Sequence, residues 1–167
     1  RWSFNSEMMR HGIVLAIFST IIPVFSFVGS LVYLSSGVTS IINATGPAFT
    51  VILAHFFLAT ESLSWRKVIG VLLSLTGAIL LASQGESGLA NVGQANPIGY
   101  ILVLIGLVSV SISTIYTRRF TIGIKPLALT SLQLFIATAL VLPTVALVYG
   151  FNVSEVNGQG WFALVYG

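Results

Sequence analysis

The chain has 167 residues, 56% of them hydrophobic and 7% charged, and its mean hydropathy is +1.00. A water-soluble domain carries about a quarter of its residues charged, so the composition excludes one and points to an integral membrane protein. The isoelectric point near 9.6 reflects a net charge of only +3, and the cations stand in short stretches between apolar runs, which is a topology signal and not a nucleic-acid surface.

Residues 1–10, RWSFNSEMMR, are a polar, basic lead-in. The first apolar span covers about 11–33 with Pro23 in its middle, where the missing N–H predicts a bend. Ser19, Pro23, Ser26 and Ser30 recur at helical spacing and give this span a weakly polar stripe. Ser35, Ser36 and Gly37 predict a tight turn that makes the first two spans antiparallel neighbours. The second span, about 38–59, contains Asn43, Pro47, Thr50 and His55. With the third it forms a hairpin whose hinge holds Glu61, Arg66 and Lys67 at the headgroups, with Trp65 as interfacial anchor. Each run is about 20 residues, or roughly 30 Å of helix, the hydrocarbon thickness of a bilayer.

The third span, about 68–83, carries Gly70, Ser74, Gly77 and Ala78, a face expected to pack closely against another helix. Residues 84–96 form a cation-free polar linker, and Pro97 opens the next helix. The fourth span, about 98–117, places Gly106, Ser109, Ser113 and Tyr116 on one face. The fifth, about 127–149, includes Thr130, Gln133 and Pro143, and a sixth begins near Trp161. Arg1 is not an initiator Met and WFALVYG stops within an apolar run, so a piece of a longer protein is expected. Lys and Arg occur before the first span, after the second and after the fourth, and in no other loop. The positive-inside rule then puts residues 1–10, 60–67 and 118–126 in the cytoplasm and linker 84–96 outside.

Chemistry-bearing residues are few. There is no Cys, which removes disulfides and thiolate metal sites, and no carboxylate stands deep in a span, so no ordinary ion relay is visible. His55 reads as a partly hydrated imidazole near the cytoplasmic interface, with a proton carrier as the alternative, and His11 as a span-edge residue. One His and one Glu do not make a membrane hydrolase or a metal site; neither enzyme activity, cofactor nor metal is expected. What remains is neutral polarity: Asn43, Thr50, Ser109, Ser113, Tyr116 and the serines of the first span. Ser and Thr can satisfy their hydroxyls on their own helix, but the Asn43 amide cannot, and Pro47 frees a carbonyl beside it. This part of the second span is the best candidate for a cavity wall.

The run SSGVTSIINATGPAFTVILAHFFLATESLSWRKVIGVLLSLTGAILL resembles the EamA family of the drug/metabolite transporter superfamily. A central-helix proline, a glutamate about fourteen residues on and a helix with spaced glycines match Pro47, Glu61, Gly70 and Gly77. GYILVLIGLVSVSISTIYTRRF resembles the family's repeat-opening helix and Lys125-Pro126-Leu127 the start of its second. Gln133 stands where that second helix often has a basic residue. The resemblance implies an all-α, ten-helix protein of two inverted five-helix repeats. On that frame, 1–83 are the last three helices of the first repeat, 84–96 an external linker, and 97–167 the first two helices and the start of the third of the second repeat.

It further implies a carrier moving small organic metabolites or drug-like solutes across the cytoplasmic membrane by alternating access, often outward. The first, second and fourth spans would border its central cavity, so Ser26, Ser30, Asn43, Pro47, Thr50, Ser109, Ser113 and Tyr116 are the expected solute-binding residues. The expected partners are the lipid bilayer, a small-molecule solute and, through the Gly70/Ser74/Gly77 face, a second copy. The competing reading is a helical membrane module without transport that associates through that face.

Overall fold

The computed structural model describes residues 6–57, 64–83 and 96–149, and all regular structure among them is helical. Helix α1 (Ser6–Leu15) runs into a π-helical turn (Ala16–Ile21) and then α2 (Ile22–Ser30); α3 (Ser36–Asn43) and α4 (Gly46–Phe57) follow, then α5 (Trp65–Ser83), α6 (Pro97–Phe120) and α7 (Pro126–Tyr149). Four described stretches are long and apolar enough to cross a membrane: Ser6–Ser30, Ser36–Phe57, Pro97–Phe120 and Pro126–Leu147. The 19 residues of α5 add about 29 Å of largely apolar helix. The protein is an all-α, multi-pass membrane protein.

Local chemistry explains most boundaries. Asn96 Oδ1 accepts the Ile98 N–H at 3.0 Å, and Pro97 occupies the first helical position of α6, where its missing N–H costs nothing. Ser35 Oγ caps α3 by accepting from Val38 N at 3.2 Å, so the turn between the first two spans falls at residues 31–35 and Ser36 and Gly37 already belong to the helix. Gly123, with φ +89°, makes the turn between α6 and α7, a conformation open to glycine and costly for a side chain. Residues 58–63, 84–95 and 150–167, which hold Glu61, most of the predicted linker and the predicted sixth span, lie outside the described residues.

The chain divides into residues 1–137 and 138–167. In the second unit the described residues 138–149 are helical and include Pro143, and Thr144 Oγ1 donates to Leu140 O and Val141 O at 3.0 and 2.7 Å. In the first unit α6 lies between the two opening spans. It runs antiparallel to the first, because Tyr116 meets His11, Ser109 meets Phe18 and Gly99 meets Leu34. It runs parallel to the second, because Gly46 lies against Leu107, Thr50 against Ser111 and the Phe57 carbonyl against Arg119. The start of α1, the end of α4 and the end of α6 therefore share one end, which carries Arg10, Arg118 and Arg119. A core of Leu34, Val38, Ile42, Val103 and Leu107, flanked by Phe27, Tyr33, Phe49 and Tyr100, fills the opposite half.

Close helix approach occurs at glycines other than those expected. A Cβ on Gly106 would stand 2.6 Å from Phe27 Cε1, one on Gly99 2.8 Å from Tyr33 Cβ, and one on Gly12 2.9 Å from Leu132 Cδ2. At Gly70 and Gly77 an added Cβ would meet nothing within 4 Å, and no described residue of α5 is buried. The small-residue face expected to pack is thus open among the described residues. In lipid no hydrophobic force drives helices together, so backbone approach at Gly12, Gly99 and Gly106 and the hydrogen bonds between spans carry the association.

Candidate functional site

The eight expected solute-facing residues separate into two groups. Ser26, Ser30, Ser109 and Ser113 are buried, and Thr50 and Tyr116 half-buried, in the seams around α6; Asn43 and Pro47 are exposed. Most hydroxyl protons of the first group are already committed. Ser30 Oγ donates to Phe27 O at 2.7 Å and lies 3.3 Å from Thr39 Oγ1. Ser113 Oγ donates to Val110 O at 2.8 Å. Thr50 Oγ1 donates to Gly46 O at 3.0 Å and lies 3.1 Å from Ser111 Oγ, which itself donates to Leu107 O at 2.9 Å. These bonds join helices and quench hydroxyls, leaving oxygen lone pairs as what a solute could use.

Ser109 has a more particular task. In the π-helical turn the Ile22 N–H reaches back five residues to Ile17 O. The next carbonyl in that register, Phe18, would need the N–H of residue 23, which is proline and has none. Ser109 of α6 donates its hydroxyl to Phe18 O at 2.8 Å instead. The bend expected at Pro23 is thus a π turn whose orphaned carbonyl is satisfied from another helix. Gln133 of α7 reaches the same turn, donating from Nε2 to Thr20 Oγ1 at 3.1 Å.

The second proline has a different outcome. The second span is two helices: α3 ends at Asn43, Ala44 N and Thr45 N close on Ser40 O and Ile42 O at 2.9 and 3.0 Å, and α4 restarts at Gly46. Pro47 has no N–H for the Asn43 carbonyl, and the Ala48 N–H, which would serve Ala44, goes to Thr45 O at 2.9 Å. Asn43, Ala44 and Pro47 are all exposed, on the side of the break turned away from the core. Two main-chain carbonyls and a carboxamide therefore stand together near the middle of a span of 22 residues. Such groups facing hydrocarbon cost several kcal/mol each, and non-helical backbone is tolerated at membrane depth where it lines a wet cavity or meets protein. The arrangement is rich in acceptors and suited to a ligand that brings N–H or O–H donors.

His11, expected at a span edge, is 3% exposed. Helix α1 starts five residues before it, carrying the ring into the seam with α6. Its Nδ1 lies 2.7 Å from Tyr116 Oη, the two rings are 5.6 Å apart, and Nε2 is 3.9 Å from Glu7 Oε1 one turn earlier. The Glu7–His11 spacing of four is the sequence signal for this cluster, since α1 extends into the polar lead-in. His55 is exposed, with its ring 5.7 Å from Phe56. No three metal-ligating side chains come together among the described residues.

Comparison with known proteins agrees with this architecture. An uncharacterized transporter of Archaeoglobus fulgidus is 30% identical over 100 residues, 60% of this chain and 33% of that protein. The uncharacterized inner membrane transporter YedA of Escherichia coli K12 is 33% identical over 94 residues, 56% of this chain and 28% of that protein. The matched stretch thus spans about a third or less of these relatives, and no solved structure matches. Residues 1–83, which include the π turn and the broken second span, match the EamA-like transporter family, in keeping with the transporter names of these relatives.

Proposed function

We propose that the protein is part of a carrier that moves small organic metabolites or drug-like solutes across the cell membrane, outward, by alternating access. The observation that carries this reading is the break at residues 43–46, where Asn43 and Ala44 are exposed and Pro47 and Ala48 give their carbonyls no helical N–H. Solute bound there meets acceptors supplied by a discontinuous helix, the arrangement by which carriers build midplane sites. Thr50, one turn into α4, and the oxygens of Ser26, Ser30, Ser109, Ser113 and Tyr116 extend the polar lining. Residues 1–83 and 97–167 act as portions of two repeats joined by an external linker, and the cationic ends near Arg10, Arg66 and Arg118 are cytoplasmic. The gathering of the described cationic ends at one side supports that orientation.

The test is counterflow of labelled amino acids and aromatic amines in proteoliposomes. Asn43→Leu should lower saturable exchange about tenfold, the equivalent of roughly 1.4 kcal/mol, with normal membrane insertion, and Ser74→Ala on α5 should be mild. Unchanged exchange in Asn43→Leu at equal protein level would remove the break from the solute path. The second reading, a non-transporting module that pairs with a copy of itself, has the uncovered Gly70 and Gly77 of α5 in its favour; it expects cross-linking between α5 helices and no exchange.

A further inference from the structure

Among the described residues His11 is the one buried titratable side chain, and the solute path proposed above does not use it. Its surroundings are defined on each side. On α1, Glu7 offers a carboxylate 3.9 Å from Nε2 and is itself 65% exposed, with Arg10 exposed next to the histidine. From α6 comes Tyr116, 2.7 Å from Nδ1, with Arg118 and Arg119 just beyond it in the chain. From α7 come Leu132 and Ile136, against Gly12, and residues 126–147 contain no titratable side chain. A hydrogen on Nε2 is favoured by the carboxylate, which leaves the Nδ1 lone pair to accept the Tyr116 hydroxyl.

We propose that His11 is a proton-binding site whose loading separates α1 from α6 at the cytoplasmic mouth; the separation has a transport role only if the carrier reading above holds. One proton taken from cytoplasmic water leaves hydrogen on both ring nitrogens. Nε2–H stays toward Glu7, while Nδ1–H now points at Tyr116 and turns its oxygen from donor to acceptor. The phenolic hydrogen must swing away from the ring and give up its imidazole acceptor within a part-buried contact. This reversal disfavours the α1–α6 contact, while an opened mouth hydrates the ring and leaves Glu7 beside it on its own helix. Because α1 and α6 fall on opposite sides of linker 84–96, this contact is where one half of the chain senses the other.

These 167 residues contain no cysteine, so spin labels at Met9→Cys and Thr117→Cys, both exposed, report the mouth directly in lipid nanodiscs. Lowering the pH from about 8 to about 5.5, across the range in which imidazoles change charge, should raise the ratio of long to short distances. His11→Gln should abolish the response. Tyr116→Phe, which keeps the imidazole and removes the phenol that must reverse, should reduce it and serves if the glutamine variant does not fold. A pH-independent distance in the labelled parent, or an undiminished response in His11→Gln or Tyr116→Phe, would overturn the proposal. Counterflow on the same preparations judges the carrier reading separately: pH-gated distances without exchange of any solute would leave the proton site standing and refute transport.

Discussion

Replacing Gly106 with alanine should harm the protein where the same change at Gly77 helps it. A Cβ on Gly106 would lie 2.6 and 2.8 Å from Phe27 Cε1 and Cζ, against an ordinary carbon contact of about 3.5–4.0 Å, so the ring must withdraw by about 1 Å. Phe27 is packed on the cluster of Leu34, Val38, Ile42, Val103 and Leu107, and that cluster has to yield with it. Overpacking of this kind costs about 1–3 kcal/mol, offset by about 1 kcal/mol of improved helix propensity. At Gly77 nothing lies within 4 Å of the new methyl, leaving only the propensity gain of about 1 kcal/mol. Equilibrium unfolding of the purified variants in detergent, followed by circular dichroism, should therefore rank Gly77→Ala above the parent and Gly106→Ala below Gly77→Ala by roughly 1–3 kcal/mol. Destabilisation by Gly77→Ala equal to or larger than that by Gly106→Ala would refute the placement of the close contacts on α6 and show that α5 is tightly covered.

Other expectations follow from the same geometry. Ser109→Ala strands the Phe18 carbonyl and should cost about 1–2 kcal/mol; in a Pro23→Ala background, where residue 23 regains an N–H, the cost should fall below about 0.5 kcal/mol, and a strictly additive double-mutant cycle would show that the two are not linked. Cysteines at Ser64 and Ile122, both exposed, should react with an impermeant maleimide from the cytoplasmic side and one at Ser87 from the outside, whereas the neighbouring Thr121 is 8% exposed and would label poorly in either orientation. Labelling of all three from one side would refute the alternating topology.

Features governed by neighbours in the chain were legible in the sequence. Asn96-Pro97 marks the start of α6 through a cap and a fixed φ, and the distribution of Lys and Arg anticipates which helix ends gather. The bend at Pro23 was legible as a bend, but its π form depends on a partner 91 residues away, which no local pattern reports. The small residues of α5 and the glycines of α6 have similar spacing; what separates them is whether a Phe27 or a Tyr33 stands opposite, a fact of tertiary structure. The inward serines were legible as polar and small, yet whether a hydroxyl meets a solute or a carbonyl is decided by the three-dimensional register. His11 was hidden because an apolar run marks the hydrocarbon and not the helix, and α1 extends beyond the run into the polar lead-in.

The two prolines of the opening spans make the same chemical change and differ in what answers it. Each removes one N–H from a membrane helix and leaves a carbonyl unclaimed. At Pro23 the helix widens into a π turn, and Ser109 claims the Phe18 carbonyl at 2.8 Å, so the defect becomes an attachment between helices. At Pro47 the helix stops and restarts, a second carbonyl is released at Ala44, and the side chain that a cap would need, Asn43, is exposed together with both. A defect closed by protein is structural, whereas one left open at membrane depth is stable only with water, solute or another helix against it. Pro47→Ala discriminates among these. It returns an N–H to the Asn43 carbonyl and should raise thermal stability, and if solute is the occupant, saturable exchange should fall in the same variant; higher stability with full exchange would show that the break is covered by protein.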